Sequence, residues 1–395
     1  MSLKQVYLKP KKEVSLQRFH PWIFSGAIHH IDGVPEEGEI VEIYDSAKNF
    51  LAIGHCQIGS IAVRILSFQN EVIDISFWEN KFRNAYSLRK QLNLTENGEN
   101  TIYRLVHGEG DNLPGLIVDM YGDTAVMQAH SPGMHFARKD LAVALERALD
   151  GQIKNVYYKS DTTLPYKANL ESVNEYLVGG NQVETVALEN NLRFHVDWIK
   201  GQKTGFFVDQ RENRMLLGRY AKDKKVLNTF CYTGGFSVYA LQGGAKEVHS
   251  VDSSAKAIVL TDENITLNFP DHNNHFSYTE DVFKFLDGTD NSFDMIILDP
   301  PAFAKHRNVL KNALQGYKKL NALAFEKIKP GGIVFTFSCS QAVSRENFRS
   351  AIFGAALQAK RNVKILHQLS QPGDHPTNVY HPEGEYLKGF VLEIQ

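Results

Sequence analysis

Cysteine is scarce: Cys56, Cys231 and Cys339 are the three in 395 residues, and they lie far apart. No two have metal-ligand spacing, and an odd count argues against a disulfide framework, so no metal site and a reducing, cytoplasmic setting are expected. Long apolar runs are missing, and the lysines of Met1–Pro10 lead into no apolar stretch, so neither a membrane span nor a secretory signal is expected. An excess of charge is missing too. The 43 Lys and Arg against 45 Asp and Glu leave a net charge of -2, whereas nucleic-acid-binding domains are often clearly basic. Internal repeats and low-complexity linkers are also absent, so domain boundaries have to be read from changes of pattern.

What is present is a globular balance, 43% hydrophobic and 22% charged, in a chain too long for one ordinary core. Charge is unevenly placed. From Met1 to His30 there are five bases, Lys4, Lys9, Lys11, Lys12 and Arg18, and one acid, Glu13. Lys11, Lys12 and Arg18 beside Phe19 and Trp22 form a candidate RNA-contact patch, although a solvated face explains the charge alone equally well.

Three segments follow from the pattern: 1–72, 73–183 and 184–395. The first is β-rich, with alternating stretches Glu39–Tyr44, Phe50–Gly54 and Ile61–Leu66 between Gly or Asp turns. The second mixes helices at Ile75–Leu92 and Phe136–Leu149 with strands at Leu116–Met120, Thr124–Ala129 and Asn155–Tyr158, an α+β character. In the third, strands Lys225–Phe230, Glu247–Asp252, Phe276–Tyr278, Phe293–Asp299 and Ile333–Ser338 alternate with helices from Phe236, at Ala255–Asn268 and at Asn312–Ile328. That rhythm predicts an α/β fold with a doubly wound parallel sheet, whose ligands bind beyond the carboxyl ends of the strands.

The residues just after those strands carry the candidate chemistry. Tyr232-Thr233-Gly234-Gly235 forms a strand-to-helix turn where the backbone can approach a ligand closely. It is neither a complete G-x-G-x-x-G nor a P-loop. Asp252 ends the second strand, where an acid can accept both ribose hydroxyls. Its bland role is a helix cap, which Ser253 can take instead. Asp281, with Val282, follows the third strand and can reach an adenine amine or cap a helix. Three such positions after three strands indicate a nucleoside cofactor. S-adenosylmethionine, which has no phosphate, suits this turn better than NAD. Upstream, Gly201–Arg211 has glycines, paired aromatics and a polar end, Gln210 and Arg211, that can close over the cofactor or simply form a turn and cap.

The fourth strand runs Met295-Ile296-Ile297-Leu298 into Asp299-Pro300-Pro301-Ala302-Phe303. The prolines force the chain off the sheet and leave Asp299 at its edge. In enzymes acting on bases such a turn can grip the base, with the acid on the ring edge and the aromatic on its face. Cys339 ends the neighbouring strand. A thiolate adding to C6 of a pyrimidine activates C5 towards an electrophile. An isolated strand-end cysteine is more often inert packing, and Cys231 in the glycine turn is read that way.

Together these residues resemble the large-subunit (23S) ribosomal RNA methyltransferase I family, the cytosine-C5 enzymes. The resemblance spans nearly the whole chain. It is carried by His20–Gly26, Leu105–Leu116, Thr204–Arg211, Tyr232–Ser237, Asp299–Phe303 and Ser338-Cys339-Ser340. It implies a barrel-like PUA domain at the N-terminus, a small α+β central domain and a class I, Rossmann-like methyltransferase domain. It also implies S-adenosylmethionine, ribosomal RNA as partner and Cys339 as nucleophile; a homodimer is a further expectation. The Pro-Cys cysteine that many RNA cytosine-C5 enzymes carry in the fourth strand is replaced by Pro300-Pro301. The alternatives are N-methylation of guanine with Cys339 merely structural, an assembly factor with a vestigial site, and a dehydrogenase.

Overall fold

The computed structural model describes residues 3–165, 168, 170–180, 185–290, 292–304 and 309–395. The boundary expected between 183 and 184 lies outside the described residues. The chain forms two units: Met1–Asn191 with Val196–Val208 and Gly373–Gly384, and Leu192–His195 with Asp209–Pro372 and Glu385–Gln395. Among the described residues no helix is long and apolar enough to cross a membrane.

The first unit holds two main sheets. Strands β1 (Lys4–Leu8), β2 (Trp22–Phe24), β3 (Ile28–Asp32), β4 (Ile40–Tyr44), β5 (Phe50–Cys56) and β6 (Ile61–Ser67) pair in the order β2-β6-β5-β4-β1-β3. Only β1 and β4 run parallel. Their inward side chains, among them Val6, Ile23, Val41, Ile43 and Val63, make one core together with Leu16 of the short helix α1 (Val14–Gln17). The second sheet joins β7 (Ile102–His107), β8 (Leu116–Tyr121), β9 (Thr124–Ala129), β10 (Asn155–Lys159) and β11 (Asn174–Val178) in the order β11-β10-β9-β8-β7. Helices α2 (Ile75–Gln91), α3 (Pro132–Phe136) and α4 (Arg138–Leu149) accompany it. Asp74 caps α2 by accepting from the Phe77 N–H at 2.9 Å, and the helix buries Phe77, Trp78, Phe82 and Ala85 at three- and four-residue spacing. The single helix expected at Phe136–Leu149 is instead two. Pro132 starts the first of them after Ser131, and Ala137 separates the pair.

Arg89 ends the buried stripe of α2 as a fully buried cation. It forms a bidentate pair with Asp111, and its Nε and Nη2 donate to the carbonyls of Arg104 and Asp374, each at 2.7 Å. The Asp374 carboxylate in turn accepts from the Arg104 N–H at 3.0 Å. A Cβ on Gly110 would meet the Pro376 carbonyl oxygen at 1.8 Å, so the segment Gly373–Gly384 lies directly on this region.

Strands β12 (Thr185–Glu189) and β13 (Leu192–Val196) lead towards the second unit. That unit contains β14 (Lys225–Thr229), β15 (Glu247–Asp252), β16 (His275–Thr279), β17 (Phe293–Leu298), β18 (Ile328–Ser338), β19 (Val363–Leu369) and β20 (Lys388–Ile394). They form one sheet in the order β16-β15-β14-β17-β18-β20-β19, parallel except for β20. The helices are α5 (Arg211–Tyr220), α6 (Gly235–Gln242), α7 (Ala255–Asn268), α8 (Val282–Gly288), α9 (Leu310–Lys327) and α10 (Arg345–Ala359). The apolar run of β17 has a simple cause. Ile296 and Leu298 face one core and Met295 and Ile297 another, because helices cover both faces of a parallel sheet.

Candidate active site

The parallel strands β14, β15, β16, β17 and β18 all end at one edge of the sheet, and strand order reverses between β14 and β17. After β14 the backbone takes left-handed conformations at Phe230 (φ 54°), Tyr232 (φ 47°) and Gly234 (φ 74°). Such alternation is costly for non-glycine residues and turns successive N–H groups towards one side. Neighbours hold it in place. Asp252 accepts from the Tyr232 N–H at 3.1 Å, Thr261 donates to the Tyr232 carbonyl at 2.9 Å, and Asn264 donates to the Thr233 carbonyl at 2.9 Å. A Cβ at Gly234 would lie 2.7 Å from Thr261 Cγ2, and one at Gly235 would lie 2.9 Å from Arg214 Cδ. Glycine is therefore required by both φ and space at 234.

Asp252 also accepts from the Ser254 N–H at 2.9 Å, so it ties the glycine turn to the end of β15. It does not cap α7; Ser254 does, rather than the expected Ser253. Asp281 is exposed and caps α8, accepting from the Lys284 N–H at 3.0 Å, and the Val282 side chain belongs to the core. Behind the turn, Asn228, Ser237, Ser250 and His275 form a chain of hydrogen bonds of 2.9, 2.7 and 2.9 Å. Cys231 is buried, 3.5 Å from the Thr261 hydroxyl, and burial pushes its thiol up to about 12, as suits a packing role.

At the other half of the edge, β17 and β18 are neighbours, with Leu298 paired to Thr336, so Asp299 and Cys339 leave adjacent strand ends. Gln210, buried, donates to the Asp299 carboxylate at 3.0 Å and accepts from Asn213 at 2.6 Å. Arg211 is buried at the start of α5. Asp209 accepts from the Tyr386 hydroxyl at 2.7 Å. Desolvation, and next the negative Asp209, push the Asp299 carboxyl up to about 7. Cys339 is part-buried. Desolvation, then the charges of Asp299 and Asp209, push its thiol up to about 12, while Lys388 pulls it down. Pro300 is buried and Pro301 exposed; Phe303 is half-buried, with its ring 4.7 Å from that of Tyr317. Tyr317 accepts from the Ser338 hydroxyl at 2.9 Å. Lys11 and Lys12, before α1, and Arg18, at its C-terminal end, are exposed in the first unit. Lys11 and Lys12 line a depression with Ser15, Phe24 and Gly26.

These residues fit S-adenosylmethionine. The Asp252 carboxylate suits a ribose diol, the left-handed turn admits a nucleoside, and Tyr232-Thr233 offers no lysine for a phosphate. Among the described residues no group of three or more His, Cys, Asp or Glu can hold a metal.

A sheet of this order, with one antiparallel strand and a glycine turn after β14, defines an S-adenosylmethionine-dependent methyltransferase. A family model for S-adenosylmethionine-dependent methyltransferases matches residues 142–378, and one for PUA-like domains matches residues 6–68. The solved structure of a SAM-dependent methyltransferase from Streptococcus mutans superposes with a TM-score of 0.83 at 24% identity, over 98% of this chain and 99% of that one. A methyltransferase solved in complex with SAH gives 0.84 at 24% identity, with the same coverage. The ribosomal RNA large subunit methyltransferase I of Tolumonas auensis is 43% identical over 394 residues, 98% of both chains, and that of Aeromonas hydrophila is 41% identical over 99% of both. The chain belongs to the ribosomal RNA large subunit methyltransferase I family.

Three residues at this edge escape a reading of the sequence. Asp209 stands in the Gly201–Arg211 stretch, but nothing local shows that its charge acts on Asp299, 90 residues later. Tyr386 and Lys388 sit far from any motif, on a segment brought to the edge by antiparallel pairing alone.

Proposed function

We propose that the enzyme methylates C5 of a cytosine in 23S ribosomal RNA, with Cys339 as covalent nucleophile and Asp299 as the acid that holds the ring. The observation that carries this is the pair itself: Asp299, with its carboxyl near 7, and Cys339 at adjacent strand ends. S-adenosylmethionine, when bound, supplies an electrophilic methyl carbon. The Cys339 thiolate adds to C6, the C5–C6 double bond opens, and electron density collects on C5 and the ring. Protonated Asp299 donates to N3 as charge builds there, which a carboxyl near 7 can do and an ordinary one cannot. Once C5 is substituted, a base takes its proton and the thiolate leaves from C6.

In this reading Tyr232, Thr233, Gly234, Gly235, Asp252, Asp281, Val282, Gln210 and Arg211 hold the cofactor, with Asp299 shared. Pro300, Pro301 and Phe303 shape the base pocket, and Lys11, Lys12 and Arg18 meet RNA phosphates. We assign the domains as 1–72, 73–183 and 184–395 and the setting as cytoplasmic, consistent with three free cysteines.

One observation favours the rival, transfer to a guanine nitrogen: a thiol held near 12 stays protonated at neutral pH and does not add. The two part company at Cys339→Ala. Covalent catalysis requires that this variant bind cofactor and RNA yet transfer nothing, and that RNA containing 5-fluorocytosine trap the wild type, because fluorine cannot leave as a proton. Substantial methylation by Cys339→Ala, with no trapped adduct, would hand the reaction to the rival.

A further inference from the structure

We infer that Lys388 is a positioning residue for Cys339: its ammonium group, fixed at the sheet edge by the Ser340 carbonyl, offsets the negative charge of Asp209 and Asp299 when the thiol loses its proton. The inference rests on Cys339 being the nucleophile. Its ground is geometry. Strand β20 is antiparallel, so it begins at the edge where the other strands end, and Lys388 pairs with Ser338. Its Nζ donates to the Ser340 carbonyl at 2.6 Å. Register on one side and this bond on the other bracket residue 339.

The lysine is also out of place as mere structure. It is 5% exposed, and among the described residues the only hydrogen bond of its ammonium group is to that neutral carbonyl, with no carboxylate in ion-pair contact. A buried ammonium without a carboxylate partner is costly and calls for a reason. Burial pushes it down to about 8, and Cys339 pulls it back up, so the interaction is mutual. The ionisable groups that act on Cys339 come from each neighbouring element: Asp299 after β17, Asp209 before α5 and Lys388 on β20. Tyr317 of α9 feels Cys339, and Arg345 of α10 and Glu385 act on Lys388. Of the three charges that act on Cys339, that of Lys388 lowers the thiol and those of the two acids raise it. In the step it assists, the S–H bond breaks, the electron pair stays on Sγ and the proton passes to water. The thiolate then rests beside a cation instead of two acids alone.

The test reads the thiol directly and does not depend on methyl transfer. Full-length wild type, Lys388→Met, Lys388→Gln and Lys388→Arg are alkylated with iodoacetamide over a pH series, and the Cys339 and Cys56 peptides are quantified by mass spectrometry. Near pH 7, where Lys388 is still charged, Cys339 of Lys388→Met and Lys388→Gln should react about tenfold more slowly than wild type, the effect of about one unit in thiol pKa. Lys388→Arg should stay within about threefold because it keeps the charge, and Cys56 should not change in any variant. Gln keeps a donor for the Ser340 carbonyl, so it isolates charge from the hydrogen bond, and circular dichroism checks each fold. Equal Cys339 rates in wild type and Lys388→Gln overturn the inference, whatever Cys339 does in catalysis. Failure of the nucleophile reading shows separately, as methylation by Cys339→Ala.

Discussion

Asparagine at position 299 keeps the shape of the side chain and an acceptor for Gln210, but it cannot ionise. In the wild type, burial and the charge of Asp209 hold this carboxyl at about 7, against an ordinary 3.8. A carboxyl raised in the fold favours the protonated form. Its contribution to stability is complete below the unfolded value and is lost as pH rises through about 7. At about 1.36 kcal/mol per unit the whole loss is about 4 kcal/mol, of which about 2.6 kcal/mol falls between pH 5 and pH 8. The group keeps some solvent contact, and screening reduces the working figure to about 1–1.5 kcal/mol. Asp299→Asn should therefore be more stable than wild type at pH 8 by about 1–1.5 kcal/mol more than it is at pH 5. Urea unfolding at the two pH values measures this. Far-ultraviolet circular dichroism is the probe, because Trp22, Trp78 and Trp198 all lie in the first unit and report nothing on the second. A difference between the proteins that is the same at both pH values would refute the argument, and with it the picture of Asp299 as a near-neutral acid.

Asp252→Ala should weaken S-adenosylhomocysteine binding by the loss of two charge-assisted hydrogen bonds, each worth about 1.5–3 kcal/mol, and should loosen the glycine turn that Asp252 fastens. An unchanged dissociation constant by calorimetry rejects the ribose assignment. Gly234→Ala places a Cβ 2.7 Å from Thr261 Cγ2 at a φ of +74°, and should cost about 1–3 kcal/mol of stability. An unmoved thermal midpoint of the second unit would show that the turn yields freely. Charge reversal of Lys11, Lys12 and Arg18 together should weaken RNA binding and flatten its salt dependence by up to about three phosphate contacts, while cofactor affinity holds. RNA binding with an unaltered salt slope would give the patch some other role.

Much of the catalytic sheet is legible because its signals are local. The apolar run of β17 is buried on both faces, and β15 and α7, like β9 in the first unit, fall on the residues that alternation and periodicity pick out. The acids after β15, β16 and β17 mark the edge because a parallel sheet sends every such residue the same way. What is hidden is set by long-range pairing. Lys388 meets Ser338 across about 50 residues of chain through antiparallel register, and no local pattern announces that β20 inserts between β18 and β19. The break at Ala137 is hidden for a different reason: alanine is a good helix former, so propensity alone carries the helix through it. From sequence Asp281 is evenly balanced between two roles, and the structure shows the capping one occupied by one carboxylate oxygen.

The segment Gly373–Gly384 bears on the order in which the protein is made. It belongs to the first unit although 168 residues of the second unit, 192–195 and 209–372, precede it in the chain. Until the ribosome has released it, Arg89 lacks the Asp374 carbonyl and the Arg104 N–H lacks the Asp374 carboxylate. The N-terminal unit therefore cannot reach its finished state as soon as the first 208 residues of the chain emerge. It has to wait, with a buried cation short of one partner, for the methyltransferase sheet to be almost fully synthesised. A stop codon shortly before Gly373 would remove β20 and also leave the first unit incomplete, so premature termination should yield no stable N-terminal fragment with this packing.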